Sequence, residues 1–311
     1  MIAKAGRALP PEAQRPRGRG VAAGRARRGD RIRRVALSGL FALAAVSSGC
    51  GPSAPPESPR AVAPCAPTLD GGDVFADAHV EGTFVLRDDA TGCSRATDVA
   101  LADTPFRPMS TFKIPNTLIG LETGVIAGVH HRFRWDGRER PVATWNADME
   151  LPRALEVSCV PCFQQVARDV GEARMKTWVQ ALRYGNADVS GAIDAFWLTG
   201  PLRITPRRQA ELVHELLAGA LPVRREHVEL VWSLLEIERT GDTVWRGKTG
   251  LGRQDGRAIG WLVGTTEVAG ARWTYATLLR GSSDDEAEVQ RLVPLRKALS
   301  RRLLVRAGAL R

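Results

Sequence analysis

The chain has 311 residues, 44% of them apolar, enough for one large domain or two modest ones. Its formal charge of +10 points at first to a nucleic-acid partner. Residues 1 to 49, however, carry eleven Lys and Arg against only Glu12 and Asp30, so the remainder is close to neutral; with no basic stripe to track phosphates, a nucleic-acid partner is excluded.

In chain order, the basic leader runs into "VALSGLFALAAV" (35 to 46). That stretch is too short to span a bilayer but fits the apolar region of a secretory signal. The basic region ahead of it is long for such a signal, which puts the expected translation start downstream of Met1. Arg33-Arg34 matches the twin-arginine pair, but the residues after it do not fit that signal. Cys50 follows Ser48-Gly49, as at a bacterial lipoprotein processing site, although Ser47 stands where such sites usually have Leu. Two readings stay open: a lipid on Cys50 attaching the protein to a membrane, or ordinary signal cleavage. Either gives an exported, periplasmic protein. Residues 50–68 are rich in Pro and Ser and form a stiff tether. The folded domain is expected over 69–311.

The remaining cysteines are Cys65, Cys93, Cys159 and Cys162, in a compartment that permits disulfides. Cys159 and Cys162 form a lone C-x-x-C in "SCVPCF", and a zinc site needs two further ligands at sensible spacing. His79, His130, His131, His214 and His227 make no H-x-H or H-E-x-x-H pattern, so no metal is expected. The C-x-x-C cysteines read as small buried residues on a helix or as a local disulfide. Cys65 with Cys93 is a second bridge that the sequence leaves open.

"EGTFVLRDD" with "ATG" reads as a strand and turn. From Ser110 to about Pro201 the signals are mostly helical, including one helix across "PCFQQVARDVGEARMKTWVQALRYG" that stops at Gly185. "TPRRQAELVHELLAG" is an amphipathic helix with Thr205 as cap and Pro206 in the first turn. "DTVWRGKTG", "AIGWLVGTTEV" and "ARWTYATLLR" alternate as antiparallel strands, with a hairpin turn at Ala269-Gly270, and "EAEVQRLVPLRKALSRRLL" closes as a helix. The fold class is mixed α/β: an antiparallel sheet flanked by helices, with an α/β lobe from about 69–109 and 203–311 and a helical insertion lobe over about 110–202.

Within "MSTFKIPNTLIG" (109 to 120), Ser110 and Lys113 are three residues apart in otherwise apolar surroundings. Residues at that spacing share a helix face, so hydroxyl and amine can touch. A helix starting near Ser110 or Thr111 tolerates Pro115, because first-turn N–H groups lack internal partners. A serine at a helix N-terminus has backbone donors beside it for a developing oxyanion. It needs an adjacent base, and a lysine serves only if burial strips its proton. On its own, S-x-x-K is more often a helix cap followed by a snorkelling lysine. "KTG" at 248 to 250, expected at the end of a strand, changes that balance, since a serine on a helix beside K-T-G is the arrangement of β-lactamases and penicillin-binding proteins.

With "SCV" (158 to 160) and "YGN" (184 to 186) between them, residues 80 to 300 resemble the class D serine β-lactamases, the oxacillinases. The matching segments fall in family order: "STFKIPNTLIGLETGVI", "RWDGRERPVATWN", "SCVPCFQQVARDVG", "YGN", "GAIDAFWLTGPLRI", "KTG" and "PLRK". The resemblance implies a β-lactamase/transpeptidase-like fold and hydrolysis of a small-molecule β-lactam through an acyl-enzyme. Ser110 would be the nucleophile. Lys113 would be the general base, holding CO2 (from bicarbonate) as a carbamate, the one cofactor-like group implied. Ser158 would relay the proton to the ring nitrogen. Val160 and Leu198 would cover the lysine, and Trp197 would donate its indole N–H to the carbamate. Lys248, Thr249, Gly250 and Arg296 would sit at the substrate carboxylate, to which an arginine offers a charge-assisted, bidentate anchor. The backbone N–H groups of Ser110 and Leu251 would form the oxyanion hole. Tyr184 and Asn186 would be supporting residues, Asn186 structural rather than catalytic.

Some positions depart from the family pattern. Arg87 stands where many members have a cysteine paired with the equivalent of Cys93, Leu251 replaces a common aromatic, and Cys162 replaces what is usually an aliphatic residue. A penicillin-binding sensor acylated without turnover, and a D,D-peptidase, are the competing readings. Sensors carry membrane spans ahead of the domain and a polar residue at the position of Val160; S-x-V with Trp197 argues against the peptidase. The segment "LGRQDGRAIG" (251 to 260) reads as a short loop, similar in length to that of some carbapenem-hydrolysing members.

Overall fold

The computed structural model describes residues 65–311; the basic leader, the signal segment, Cys50 and most of the tether lie outside the described residues. Helix α1 (Gly72–Asp77) leads into β1 (Glu81–Asp88), which turns back through β2 (Ser94–Ala96) to α2 (Val99–Ala102). A 3-10 turn, Met109–Phe112, opens α3 (Lys113–Glu122). Next come the short paired strands β3 (Arg132–Phe133) and β4 (Met149–Glu150), then α4 (Leu151–Glu156), α5 (Val160–Val170) and α6 (Glu172–Ala181). After α7 (Pro206–Leu217) and α8 (Arg225–Ser233), the chain enters β5 (Glu236–Thr240), β6 (Thr243–Gln254), β7 (Arg257–Val268) and β8 (Ala271–Arg280), and closes with α9 (Glu286–Arg306).

The main sheet has the order β2-β1-β8-β7-β6-β5, antiparallel throughout, so strands from both ends of the described region share it. Side chains alternate across a strand, and here both faces are buried. Val85, Trp261, Val263, Ala276 and Leu278 enter one core with helices α2 to α8. Phe84, Leu86, Leu262, Tyr275 and Leu279 enter a second core under α9. That two-sided burial is why "AIGWLVG" is almost continuously apolar rather than alternating.

Three expectations need correction. The single helix read across 161–185 breaks at Gly171, whose φ of +78° ends α5 and starts α6, and α6 stops at Ala181, ahead of Gly185. Residues 251–260 are not a loop: β6 and β7 pair through Gln254 and Arg257, and the turn is Asp255-Gly256, both at positive φ, a two-residue hairpin like that at Ala269-Gly270. K-T-G therefore lies inside a long strand, not at its end. The edge strand β5, "EIERT", carries no period-2 apolar signal because it is barely buried, and its charges suit an exposed edge.

The cysteines form two bridges. Cys65 bonds Cys93 across 28 residues, and Cys159 bonds Cys162. Arg87 donates to the Gly92 carbonyl at 3.1 Å.

Leu262 is fully buried in the core under α9. Leu262→Ala should lower the unfolding free energy by about 2–5 kcal/mol, read by urea denaturation followed by tryptophan fluorescence. A loss below about 1 kcal/mol would mean that this face of the sheet repacks around the void.

Candidate active site

The site starts from a tight turn. Met109 adopts φ +52°, its N–H donates to the Trp197 carbonyl at 3.2 Å, and the Thr111 N–H and hydroxyl both return to the Pro108 carbonyl, at 3.2 and 2.7 Å. Ser110 thus sits in a 3-10 turn, and the α-helix starts at Lys113 rather than at Ser110 or Thr111. Pro115 is the third residue of α3, where no backbone donor is missed. Strand β6 approaches this turn closely because of its glycines. A Cβ on Gly250 would lie 3.1 Å from the Pro108 carbonyl oxygen, and one on Gly252 would collide with the Met109 thioether.

Lys113 is 1% exposed and donates to Ser110 Oγ at 2.9 Å. Burial with no carboxylate partner among the described residues, reinforced by the positive charge of Lys248, holds its amine well below the usual lysine range. Its Nζ lies 5.4 Å over the Phe163 ring. The snorkelling alternative is excluded, since the side chain points inward and its head is dry.

The second serine comes from the α4–α5 junction. Ser158 holds φ +54°, an uncommon conformation for a residue with a side chain, and its Oγ accepts from Lys248 Nζ at 3.0 Å. Lys248, paired with Val263 in mid-strand, is 3% exposed. Desolvation, with Arg296 and Lys297 nearby, brings its ammonium down from 10.5 to about 7. A cavity of about 170 Å³ flanks Lys248, Thr249 and Lys297.

Arg296, on α9, is buried and donates from Nη1 to the Gly250 carbonyl at 2.8 Å and from Nε to the Val293 carbonyl at 3.3 Å. Its methylenes lie over Gly260, where a Cβ would stand 3.1 Å away. Desolvation lowers its guanidinium to about 10. Leu251 packs its side chain against the core under α9, so only its backbone faces the turn region; by alternation Thr249 points to the same side as Leu251.

Trp197 is fully buried and stacks on Phe112 with centroids 5.4 Å apart, and its indole Nε1 has no hydrogen-bond partner among the described residues. Buried polar groups are rarely left so. Val160 and Leu198 are half-buried, Leu198 against the same core. Tyr184 packs edge-on against Phe112 at 5.3 Å. Asn186 is a loop staple: its Oδ1 accepts from the Arg203 N–H at 2.9 Å and its Nδ2 donates to the Pro201 carbonyl at 3.0 Å. Among the described residues, no group of three or more His, Cys, Asp or Glu is placed to hold a metal.

Several contributors had no distinctive sequence signal. Phe112, the hub of the aromatic cluster, looks like any core residue. Gln209 donates to Thr111 Oγ1 at 2.7 Å and so braces the turn from α7; a glutamine on an otherwise buried helix face was the available hint. The Trp145 indole donates to the Val157 carbonyl at 3.0 Å, just ahead of Ser158.

Two serine–lysine pairs brought together at a helix start and a glycine-rich strand mark a serine acyl-transferring site of the penicillin-binding type. The family model described as penicillin binding protein transpeptidase domain matches residues 82–294. Beta-lactamase OXA-10 of Pseudomonas aeruginosa is 37% identical over 237 residues, covering 75% of this chain and 87% of that protein. Beta-lactamase OXA-48 of Klebsiella pneumoniae is 38% identical over 202 residues, covering 65% of this chain and 76% of that protein. Among solved structures, the class D β-lactamase YbXI from Nostoc superposes with a TM-score of 0.72 at 34% identity, covering 77% of this chain and 98% of its own. FUS-1 (OXA-85), a class D β-lactamase from Fusobacterium nucleatum subsp. polymorphum, gives 0.71 at 32% identity, covering 77% and 97%. The chain belongs to the class D serine β-lactamase family.

The depressed Lys248 value carries a pH signature. The folded chain releases this proton at about 7, whereas the unfolded chain keeps it until 10.5. Between those values unfolding takes up a proton, so stability rises with pH at up to about 1.4 kcal/mol per unit. Urea unfolding at pH 7, 8 and 9 should show this rise in wild type and a smaller one in Lys248→Met. Equal slopes would mean that Lys248 stays charged when folded.

Proposed function

We propose that the chain hydrolyses β-lactams through an acyl-enzyme on Ser110, with Lys113 as the base. The observation that carries this is the 2.9 Å contact between Ser110 Oγ and a buried amine whose surroundings disfavour its charge. The relatives bear β-lactamase names, which supports the reaction class.

Ser110 Oγ attacks the lactam carbonyl and gives up its proton on the Lys113 side. The ring C–N bond breaks, and Ser158 hands a proton to the departing nitrogen. Lys248, 3.0 Å away and close to half-protonated at neutral pH, restores the proton on Ser158. Backbone N–H groups of Ser110 and Leu251 receive the oxyanion. The substrate carboxylate is drawn to Lys248, Thr249 and Arg296; Arg296 is held against Gly250, so the cation and the strand stay in register. Water then attacks the acyl ester and frees Ser110.

A carbamate on Lys113 fits the residues present. Only a neutral amine takes up CO2, burial favours that form, and the unpartnered indole N–H of Trp197 is a donor in want of an acceptor. Such a group would supply a carboxylate-type base for both acylation and hydrolysis of the acyl-enzyme.

We also propose that the protein acts after export, with residues 1–49 as leader and signal and Cys50 as a lipid attachment site or part of a cleaved tether. The two disulfides suit an oxidising compartment.

Purified protein should turn over nitrocefin many times. Ser110→Ala should lose about a thousandfold or more of that rate while melting at a similar temperature. Intact-mass spectrometry with a slow penicillin should show one adduct on wild type and none on the variant. A single stoichiometric burst would instead support the sensor reading, and an adduct on another residue would remove Ser110 from the role.

A further inference from the structure

None of these roles uses the C-x-x-C. Cys159 is the N-cap of α5, its Sγ accepting the Cys162 N–H at 3.2 Å, and it is bonded to Cys162 across the first turn. The residue directly before it is Ser158, whose hydroxyl meets Lys248 from a backbone with φ +54°. A non-glycine residue in that region is strained and persists only where its surroundings hold it. On the N-terminal side the holding is by hydrogen bonds: Trp145 Nε1 to the Val157 carbonyl at 3.0 Å, Ser158 N–H to Leu155 at 3.2 Å and Cys159 N–H to Ala154 at 2.8 Å. On the C-terminal side it is a covalent ring.

The same bond forms part of the wall of a cavity. A space of about 400 Å³ is lined by Cys159 and Cys162 and by Arg134, Arg138, Arg140 and Arg168. Asp136 pairs with Arg140 and Asp194 with Arg168, leaving an excess of positive charge. Their total exposure is small, 1% for Cys159 and 7% for Cys162.

We propose that the Cys159–Cys162 disulfide is a thiol-sensitive clamp that positions Ser158, opened by small anionic thiols entering through the arginine-lined cavity. The inference rests on Ser158 being the proton relay. In the opening step a thiolate attacks one sulfur of the bridge, forming a mixed disulfide and expelling the other sulfur as thiolate. A second thiolate then attacks the small thiol's sulfur in that mixed disulfide and expels the remaining protein sulfur as thiolate. The protein bridge gains two electrons and two protons, and two small thiols leave as their disulfide. A thiolate on Cys159 is favoured by the N–H it already accepts and by the start of α5. With the ring open, Ser158 is free to leave its left-handed conformation, and the contact with Lys248 loosens.

The test uses the full chain with Cys65→Ser and Cys93→Ser, so that one bridge remains. Its oxidation state is counted by alkylation and intact mass. The reduced protein should acylate about tenfold more slowly, with KM moving less than kcat, and should recover on reoxidation. Cys162→Ala should show the slow rate without thiol and ignore added thiol. Corrected for thiolate fraction, 3-mercaptopropionate should open the bridge faster than neutral 2-mercaptoethanol. Verified reduction with an unchanged acylation rate overturns the clamp; equal opening by the two thiols overturns the cavity route. Nitrocefin turnover by the oxidised protein, and its loss in Ser158→Ala, test the underlying reading separately. If those fail, the relay and the clamp fall together, whereas intact turnover that reduction leaves untouched removes the clamp alone.

Discussion

A lysine amine buried to 1% exposure, with a serine hydroxyl as its contact, is the constraint on which the site depends. An ammonium there would have no counter-ion, and isolated buried charge is among the most expensive things a fold can hold. Burial drives the amine toward its neutral form, which is the form the proposed mechanism needs for a base. The positive charge of Lys248 strengthens the effect, and Lys248 is itself lowered by desolvation and by the charges of Arg296 and Lys297. In the proposed mechanism the two lysines divide the work: one takes a proton from Ser110, while the other, near half-protonation, returns one through Ser158.

The scaffold serves that electrostatic arrangement. Two positive-φ residues, Met109 and Ser158, each adjoin or carry a serine hydroxyl of the site. Strain of this kind is tolerated where surrounding contacts over-determine the backbone. For Met109 the restraints are the Trp197 carbonyl and the glycine-lined approach of β6. For Ser158 they are the Trp145 indole behind it and the disulfide ahead of it. Phe112, Tyr184, Phe196 and Trp197 pack as one aromatic block against the turn, excluding water from the amine and leaving one indole donor unpaired.

Much of this was legible in the residues. Helix α7 announced itself through Thr205 and Pro206, and the β7–β8 hairpin through Ala269-Gly270, since caps and turns are local chemistry. The pairing of Ser110 with Lys113 followed from helix spacing, and its distinction from a cap required K-T-G far along the chain. What escaped notice was set by tertiary context. The long helix was broken because Gly171 takes a left-handed conformation, which glycine permits but does not announce. The hairpin at Asp255-Gly256 was hidden because the strand residues around it, Arg253, Gln254 and Arg257, are polar. Strand β5 gave no alternation because neither of its faces is buried. The role of Phe112 is invisible in sequence, where it is one apolar residue among many.

The central claim is that Lys113 is neutral and reactive toward CO2. Carbon-13 NMR of the purified chain in labelled bicarbonate tests it directly. The account predicts one carbamate carbon signal that is absent in Lys113→Ala, fades as acid protonates the amine, and weakens in Trp197→Ala, in parallel with bicarbonate-restorable turnover. Absence of that signal in wild type, with turnover indifferent to bicarbonate at pH 6 and pH 8, would contradict it and leave Lys113 as a bare amine base.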